Sequence, residues 1–459
     1  MQTTRTLALL ALAATGLVSH VPESGAQPPV HHVQRIERLA QHSDRVRDGI
    51  LQMKRAARLE RLRQTERALI RRWIEHRVGR SVAQRRAAAR RAFIVTRDGS
   101  WVVRGEILAL GLDPQKLAAA RARGLTVLRR RPLEALGLDL VVLGVPRNRD
   151  TIKELRNLRT AIPGARFELN HVFDPSGADS MANKPEADVL DAPMPWSDLP
   201  PLANGSLGLV DLGVDPTHPA LRNTRIELRS FTGEKEPSPS AHGTAVASLL
   251  VGAEGRFAGA AQGAHLLAAD VFGDADTGGS AEMILEALDW LAKEQVPVIA
   301  MPLVGPPNLL LEASLAALHR RGVLVVAPVG NGGPTRPVAY PAAYADVIAV
   351  TATDAGGKVF IAAQRGPEVM FSAVGVRLPA AADPERLKPV EGTSFAVPEV
   401  AARLLRALPA PEPTAAERAL SALERTAVDL GAPGHDPVYG YGWVSFGGRS
   451  RQAQKMSNP

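Results

Sequence analysis

Ser394 lies in Glu391-Gly392-Thr393-Ser394-Phe395-Ala396-Val397-Pro398, between a glycine-led turn and an Ala/Val/Leu helix that runs through Leu405. A hydroxyl so placed meets free backbone N–H groups and the positive end of a helix dipole, a setting that favours developing negative charge. Alone, Gly-Thr-Ser reads more readily as an ordinary helix cap than as a nucleophile. Two upstream segments shift that balance. Asp211 ends the apolar run Leu207-Gly208-Leu209-Val210, and His242 opens a helix in Ala241-His242-Gly243-Thr244-Ala245-Val246. Nucleophilic acyl transfer needs a hydroxyl, an imidazole to take its proton and a carboxylate to fix the imidazole tautomer, and these three residues supply that set. A fourth segment, Gly322 to Val329 followed by Gly330-Asn331-Gly332-Gly333, sets the Asn331 carboxamide at a strand end, where it could bind an oxyanion.

The elements that must hold these groups follow from the pattern beyond residue 205. Apolar strands are expected near 207–214, 265–271, 296–304, 323–329, 347–353 and 369–374, with helices near 242–252, 280–294, 309–321 and 395–407. Continuous apolar strands joined by helices predict a doubly wound, mainly parallel α/β sheet covered on both faces, with its site at the carboxyl ends of the strands.

In order and separation, the Asp211 segment, His242-Gly243-Thr244, Gly330-Asn331, Gly392-Thr393-Ser394-Phe395-Ala396 and the closing Asp436-Pro437-Val438-Tyr439-Gly440-Tyr441-Gly442 resemble the subtilases, the subtilisin-like serine peptidases. The resemblance spans about residues 205–446. It implies peptide-bond hydrolysis with Ser394 as nucleophile, His242 as base, Asp211 as its orienting carboxylate, and Asn331 with the Ser394 N–H holding the oxyanion. It also implies substrate binding along Leu303, Val304 and Gly305 and at Gly330. No metal is required for this chemistry, and calcium is possible without an assignable site. Because His242 must be neutral to accept a proton, activity should rise through about pH 6 to 7. Leu212, Ala245 and Glu391 depart from the family's usual residues without removing a catalytic group. Pro302 and Val304 bear on substrate selection instead, since Pro302 has no N–H to donate and Val304 is branched where glycine is usual. His218, His435 and Asp215 read as loop and turn residues rather than extra catalytic groups.

Ahead of this region, residues 1–26 read as a signal peptide, with Arg5, an apolar stretch from Leu7 to Val18, and Ser24-Gly25-Ala26 before Gln27, so export to the periplasm or beyond is expected. Residues 27–92 form an Arg-rich helical segment. Residues 31–92 hold 18 basic and 6 acidic residues, a net of +12 in a chain whose total is +8, so the remainder carries −4. This segment reads as a solvated amphipathic helix or hairpin, with contact to an anionic surface as the sharper alternative and no signature of specific nucleic-acid binding. Residues 93–173 show the order β-α-β-β-α-β of a small ferredoxin-like α+β unit. By the resemblance, that unit is a prodomain acting as an intramolecular inhibitor. A linker follows at 174–203, the peptidase domain at 204–446 and a polar tail at 447–459. The chain has no cysteine, which excludes disulfides, thiolate catalysis and cysteine-held zinc. Two other readings stay open on sequence alone: a catalytically weak relative that binds peptides, and a scaffold that acts through its basic segment.

Overall fold

The computed structural model describes residues 92–176, 194–196, 199–233, 236–273 and 279–445, all within one compact unit. The expected signal peptide at 1–26, nearly all of the Arg-rich segment, most of the expected linker and the C-terminal tail lie outside the described residues.

The N-terminal strands β1 (Phe93–Val95), β2 (Trp101–Leu110), β3 (Thr126–Leu133), β4 (Leu138–Gly144) and β5 (Arg166–His171) form one antiparallel sheet, in which β2 pairs with β1, β4 and β5, and β4 with β3. Helices α1 (Pro114–Ala122) and α2 (Thr151–Ala161) begin at Asp113 and Asp150, whose carboxylates accept from Lys116 N and Lys153 N. Capping satisfies N–H groups that the first helical turn leaves unpaired. The β-α-β-β-α-β order is the one expected, and the strand pattern of Phe93-Ile94-Val95 forms the short β1.

After β6 (Asp174–Pro175), the strands β7 (Ser206–Asp211), β8 (Arg225–Ser230), β11 (His265–Asp270), β12 (Val298–Ala300), β14 (Leu324–Pro328), β15 (Val347–Thr353) and β16 (Val369–Val374) build a parallel sheet in the order β16-β15-β14-β12-β7-β11-β8. Small hairpins, β9 (Ala253–Glu254) with β10 (Phe257–Ala258) and β17 (Val376–Ala380) with β18 (Lys388–Glu391), lie outside it. Leu207 and Leu209 of β7 join one apolar cluster, and Val210 joins the other. Alternation across a strand therefore feeds two cores, as a sheet covered on both faces requires. Helices α3 (Ala241–Val251), α6 (Val397–Ala407) and α7 (Pro413–Thr426) line the first cluster, and α4 (Ala281–Lys293) and α5 (Leu309–Arg320) the second.

Two expected elements divide. The strand expected over 296–304 becomes β12 and the separate β13 (Leu303–Val304), because Pro302 has no N–H to carry the parallel ladder. The helix expected from 395 starts at Val397, and Ser394 sits in a 3₁₀ turn, Thr393–Phe395, just before it. No helix among the described residues is long and apolar enough to cross a membrane.

The N-terminal sheet docks on α4 and α5. Leu108, Leu110, Leu133, Leu140 and Val142 share the second apolar cluster with these helices. Ser280 makes no side-chain cap for α4, and Asn170 Oδ1 accepts from Glu282 N at 3.2 Å instead. Arg129 donates to both Glu282 oxygens at 2.6 Å and to Glu106 Oε1 at 2.7 Å. The bonds to Glu282 outweigh burial and, with Glu106, push the guanidinium pKa up, so its charge is fixed.

Candidate active site

Asp211 ends β7 on the carboxyl edge of the sheet. Its Oδ1 accepts from Leu212 N at 2.8 Å, which leaves the carboxylate facing α3. Ser240 caps α3 by accepting from His242 N, and Thr244 Oγ1 bonds both Ser240 O and Asp215 N, tying the helix start to the chain after β7. Gly243 permits this approach: a Cβ there would lie 2.3 Å from Leu212 O. His242 Nδ1 consequently sits 3.1 and 3.0 Å from the two Asp211 oxygens, and Nε2 sits 3.3 Å from Ser394 Oγ. Relative exposures of 0, 1 and 0 % for Asp211, His242 and Ser394 put the whole relay out of water, where electrostatic coupling is strongest. Burial alone would push the His242 pKa down. The charge and hydrogen bond of Asp211, with the oxygen of Ser176, outweigh it, so the imidazole titrates above the ordinary histidine value.

Asn331 follows β14 at the same edge. Its Oδ1 accepts from Thr393 N at 3.0 Å and from Thr393 Oγ1 at 2.9 Å. Its Nδ2 is buried without a hydrogen-bond partner among the described residues. A buried amide donor left open beside a nucleophile has the form of an oxyanion site. The sequence reading missed Thr393, although its place next to Ser394 was the available signal.

The groove beside these groups is filled by the chain itself. Asp174 and Pro175 pair antiparallel with Val304 and Leu303, Phe173 N donates to Gly279 O at 2.8 Å, and Ser176 N donates to Pro302 O at 3.0 Å. Pro302 thus enters as an acceptor, and its missing N–H costs nothing. Gly305 packs on the Phe173 ring, and the Gly330 carbonyl accepts from Gln364 N at 3.0 Å. Ser176 O lies 2.8 Å from His242 Nε2, so in this state the imidazole nitrogen that faces Ser394 is also engaged by the inserted peptide. The sequence places Phe173 at the end of the N-terminal unit and Asp174 to Ser176 at the start of the linker, and no local pattern marks the register they adopt on β13.

Among the described residues, no group of three or more His, Asp or Glu is arranged to hold a metal ion.

Residues 203–442, more than half the chain, match the Subtilase family. The chain is 32 % identical over 230 residues to the major intracellular serine protease of Bacillus subtilis, covering 47 % of this chain and 72 % of that one. It is 28 % identical to the minor extracellular protease Epr of the same organism, covering 53 % of this chain and 38 % of Epr. The solved structure of fervidolysin from Fervidobacterium pennivorans, described as a keratinolytic enzyme related to subtilisin, matches the fold with a TM-score of 0.60 and 22 % identity, over 77 % of this chain and 62 % of that one. With the Asp211, His242 and Ser394 geometry, the match over 203–442 establishes that the chain belongs to the subtilase family of serine peptidases.

Proposed function

We propose that this chain is an exported serine endopeptidase that hydrolyses polypeptides through Ser394, His242, Asp211 and Asn331, and that residues 93–176 inhibit it until the bond after Ser176 is cut. The observation that carries the reading is the segment Phe173 to Ser176, paired along β13 with its last carbonyl at the His242 imidazole. For attack, that carbonyl turns from His242 Nε2 toward Asn331 Nδ2 and the Ser394 N–H. Ser394 Oγ then bonds the Ser176 carbonyl carbon while its proton passes to His242. His242 returns the proton to the Gly177 nitrogen as the C–N bond breaks, and water hydrolyses the Ser176 ester, freeing Ser394.

Export rests on the charged, apolar and small-residue succession in residues 1–26. Inhibition is supported by the apolar cluster, the Asn170 cap and the Arg129 bridge, which together hold the N-terminal unit against α4 and α5 while its last residues enter the groove.

Mass spectrometry of the purified full chain beside Ser394→Ala tests the reading. The wild type should yield a mature chain beginning at Gly177 that is labelled by a serine-directed fluorophosphonate; Ser394→Ala should remain joined at this bond and unlabelled. Equal cutting in both chains would refute self-processing, and an unlabelled wild type without hydrolysis of unfolded casein would refute the peptidase reading.

A further inference from the structure

The segment in the groove also carries information about what the groove selects. We propose that the mature cleft prefers polypeptide segments with an aromatic residue fourth before the cut, proline second and a small hydroxylated residue first, the pattern of Phe173, Pro175 and Ser176. This inference rests on the peptidase reading and deepens it.

Phe173 is 1 % exposed and belongs to the same apolar cluster as Phe272, Leu303 and Met301. The fit to Gly305 is close: a Cβ there would stand 2.2 Å from Phe173 Cδ1 and 2.6 Å from Cε1. Gly279 lets the Phe173 backbone approach as closely, since a Cβ there would meet Phe173 O at 2.7 Å and Phe272 Cε1 at 2.5 Å. The Phe173 ring is therefore accommodated by the absence of a side chain at Gly305, and the backbone beside it by the absence of one at Gly279. Replacing the ring with a small residue would leave an apolar hollow.

Pro175 fits because the backbone donors flanking it, Phe173 N and Ser176 N, already hold the strand, so a residue without an N–H loses no bond there. Its fixed φ also reduces the entropy lost when an extended segment docks.

Ser176 is 2 % exposed, and its Oγ lies 3.4 Å from Thr393 Oγ1, the hydroxyl that holds Asn331. A small hydroxylated residue first before the cut therefore sits against the group that orients the oxyanion donor.

The test uses the full wild-type chain after it has processed, with internally quenched peptides carrying Phe-Asp-Pro-Ser-Gly-Ala-Asp, the sequence of residues 173–179. Changing Phe to Ala should lower kcat/KM by about 10- to 100-fold, the range supplied by burying one large apolar side chain. Changing Ser to Leu should lower it by about tenfold or more, because Ser176 is buried and a larger side chain there must displace the packing around it. In Gly305→Ala, the ratio between the Phe and Ala peptides should collapse toward unity. Casein hydrolysis and fluorophosphonate labelling are measured in parallel. Casein hydrolysis with equal rates on the Phe and Ala peptides would overturn the preference while leaving the peptidase reading intact. Loss of both casein hydrolysis and labelling would overturn the two together.

Discussion

Asn331→Ala removes a buried amide donor whose nitrogen has no partner among the described residues and whose oxygen is pinned by Thr393. A hydrogen bond to a charged oxygen contributes about 1.5 to 3 kcal/mol, and about 1.4 kcal/mol is tenfold in rate. Burial of Nδ2 favours the upper end, so kcat should fall about a hundredfold with little change in KM, since this bond strengthens only as the oxyanion forms. Thr393→Val keeps the shape and the Thr393 N bond but deletes the 2.9 Å hydroxyl bond. A neutral hydrogen bond contributes roughly 0.5 to 1.5 kcal/mol, which predicts a loss of about 2- to 12-fold. The two losses should not add: with no amide left to orient, Thr393→Val in the Asn331→Ala background should cost almost nothing. Steady-state kinetics on one quenched peptide, with circular dichroism to verify folding, gives the full cycle. Equal effects of Thr393→Val in both backgrounds would refute the claim that Thr393 acts through Asn331.

Ser394→Ala and His242→Ala should each abolish peptide hydrolysis and leave the bond after Ser176 intact, as read by mass spectrometry. The precursor's reactive group should titrate above the ordinary histidine value, and cutting should move that limb down in pH as Ser176 O leaves Nε2, which labelling rates across pH would record. Because the folded pKa is the higher one, protonated His242 stabilises the uncut fold below the unfolded value near about 6.5, and this is lost as pH rises through the folded pKa. The melting-temperature gap between Ser394→Ala and Ser394→Ala with His242→Gln should accordingly shrink with rising pH. Arg129→Ala leaves Glu106 and Glu282 facing each other at a partly exposed site; discounted for solvent, about 1 to 2 kcal/mol is lost and the cut N-terminal unit should dissociate roughly 5- to 30-fold faster, measured by gel filtration or fluorescence. Adding EDTA to the mature enzyme should leave its initial rate unchanged, and rapid loss restored by zinc alone would contradict a metal-free mechanism.

Much of this was legible because parallel-sheet strands are apolar throughout and because Asp211, His242 and Ser394 sit at element ends, where local pattern marks a boundary. Edge strand β8, Arg-Ile-Glu-Leu-Arg-Ser, escaped notice: its polar alternation is that of a half-solvated surface, and its partner β11 lies far along the chain. Helix α7 was missed although Glu412 before Pro413 is a start signal, and Glu412 does accept from Thr414 N and Ala415 N. That the chain just after Phe173 lies along the groove follows from the prodomain resemblance, but its register there does not. Its pairing with Val304 and Leu303 depends on backbone geometry supplied by residues about 130 positions away, and no side-chain period encodes that.

The shared cluster beneath α4 and α5 also bears on how quickly the chain folds. A sheet ordered β16-β15-β14-β12-β7-β11-β8 closes through distant parallel pairings, and such non-local contacts are slow to form. The N-terminal sheet pairs antiparallel within about 80 residues and emerges first during synthesis, so it can stand complete before β14 exists. Its apolar face, with Leu108, Leu140 and Val142, then offers α4 and α5 a surface to condense on while their own strands are still unpaired. A chain lacking residues 93–176 would have to assemble that layer without a template, and its refolding rate would suffer well before its final stability did.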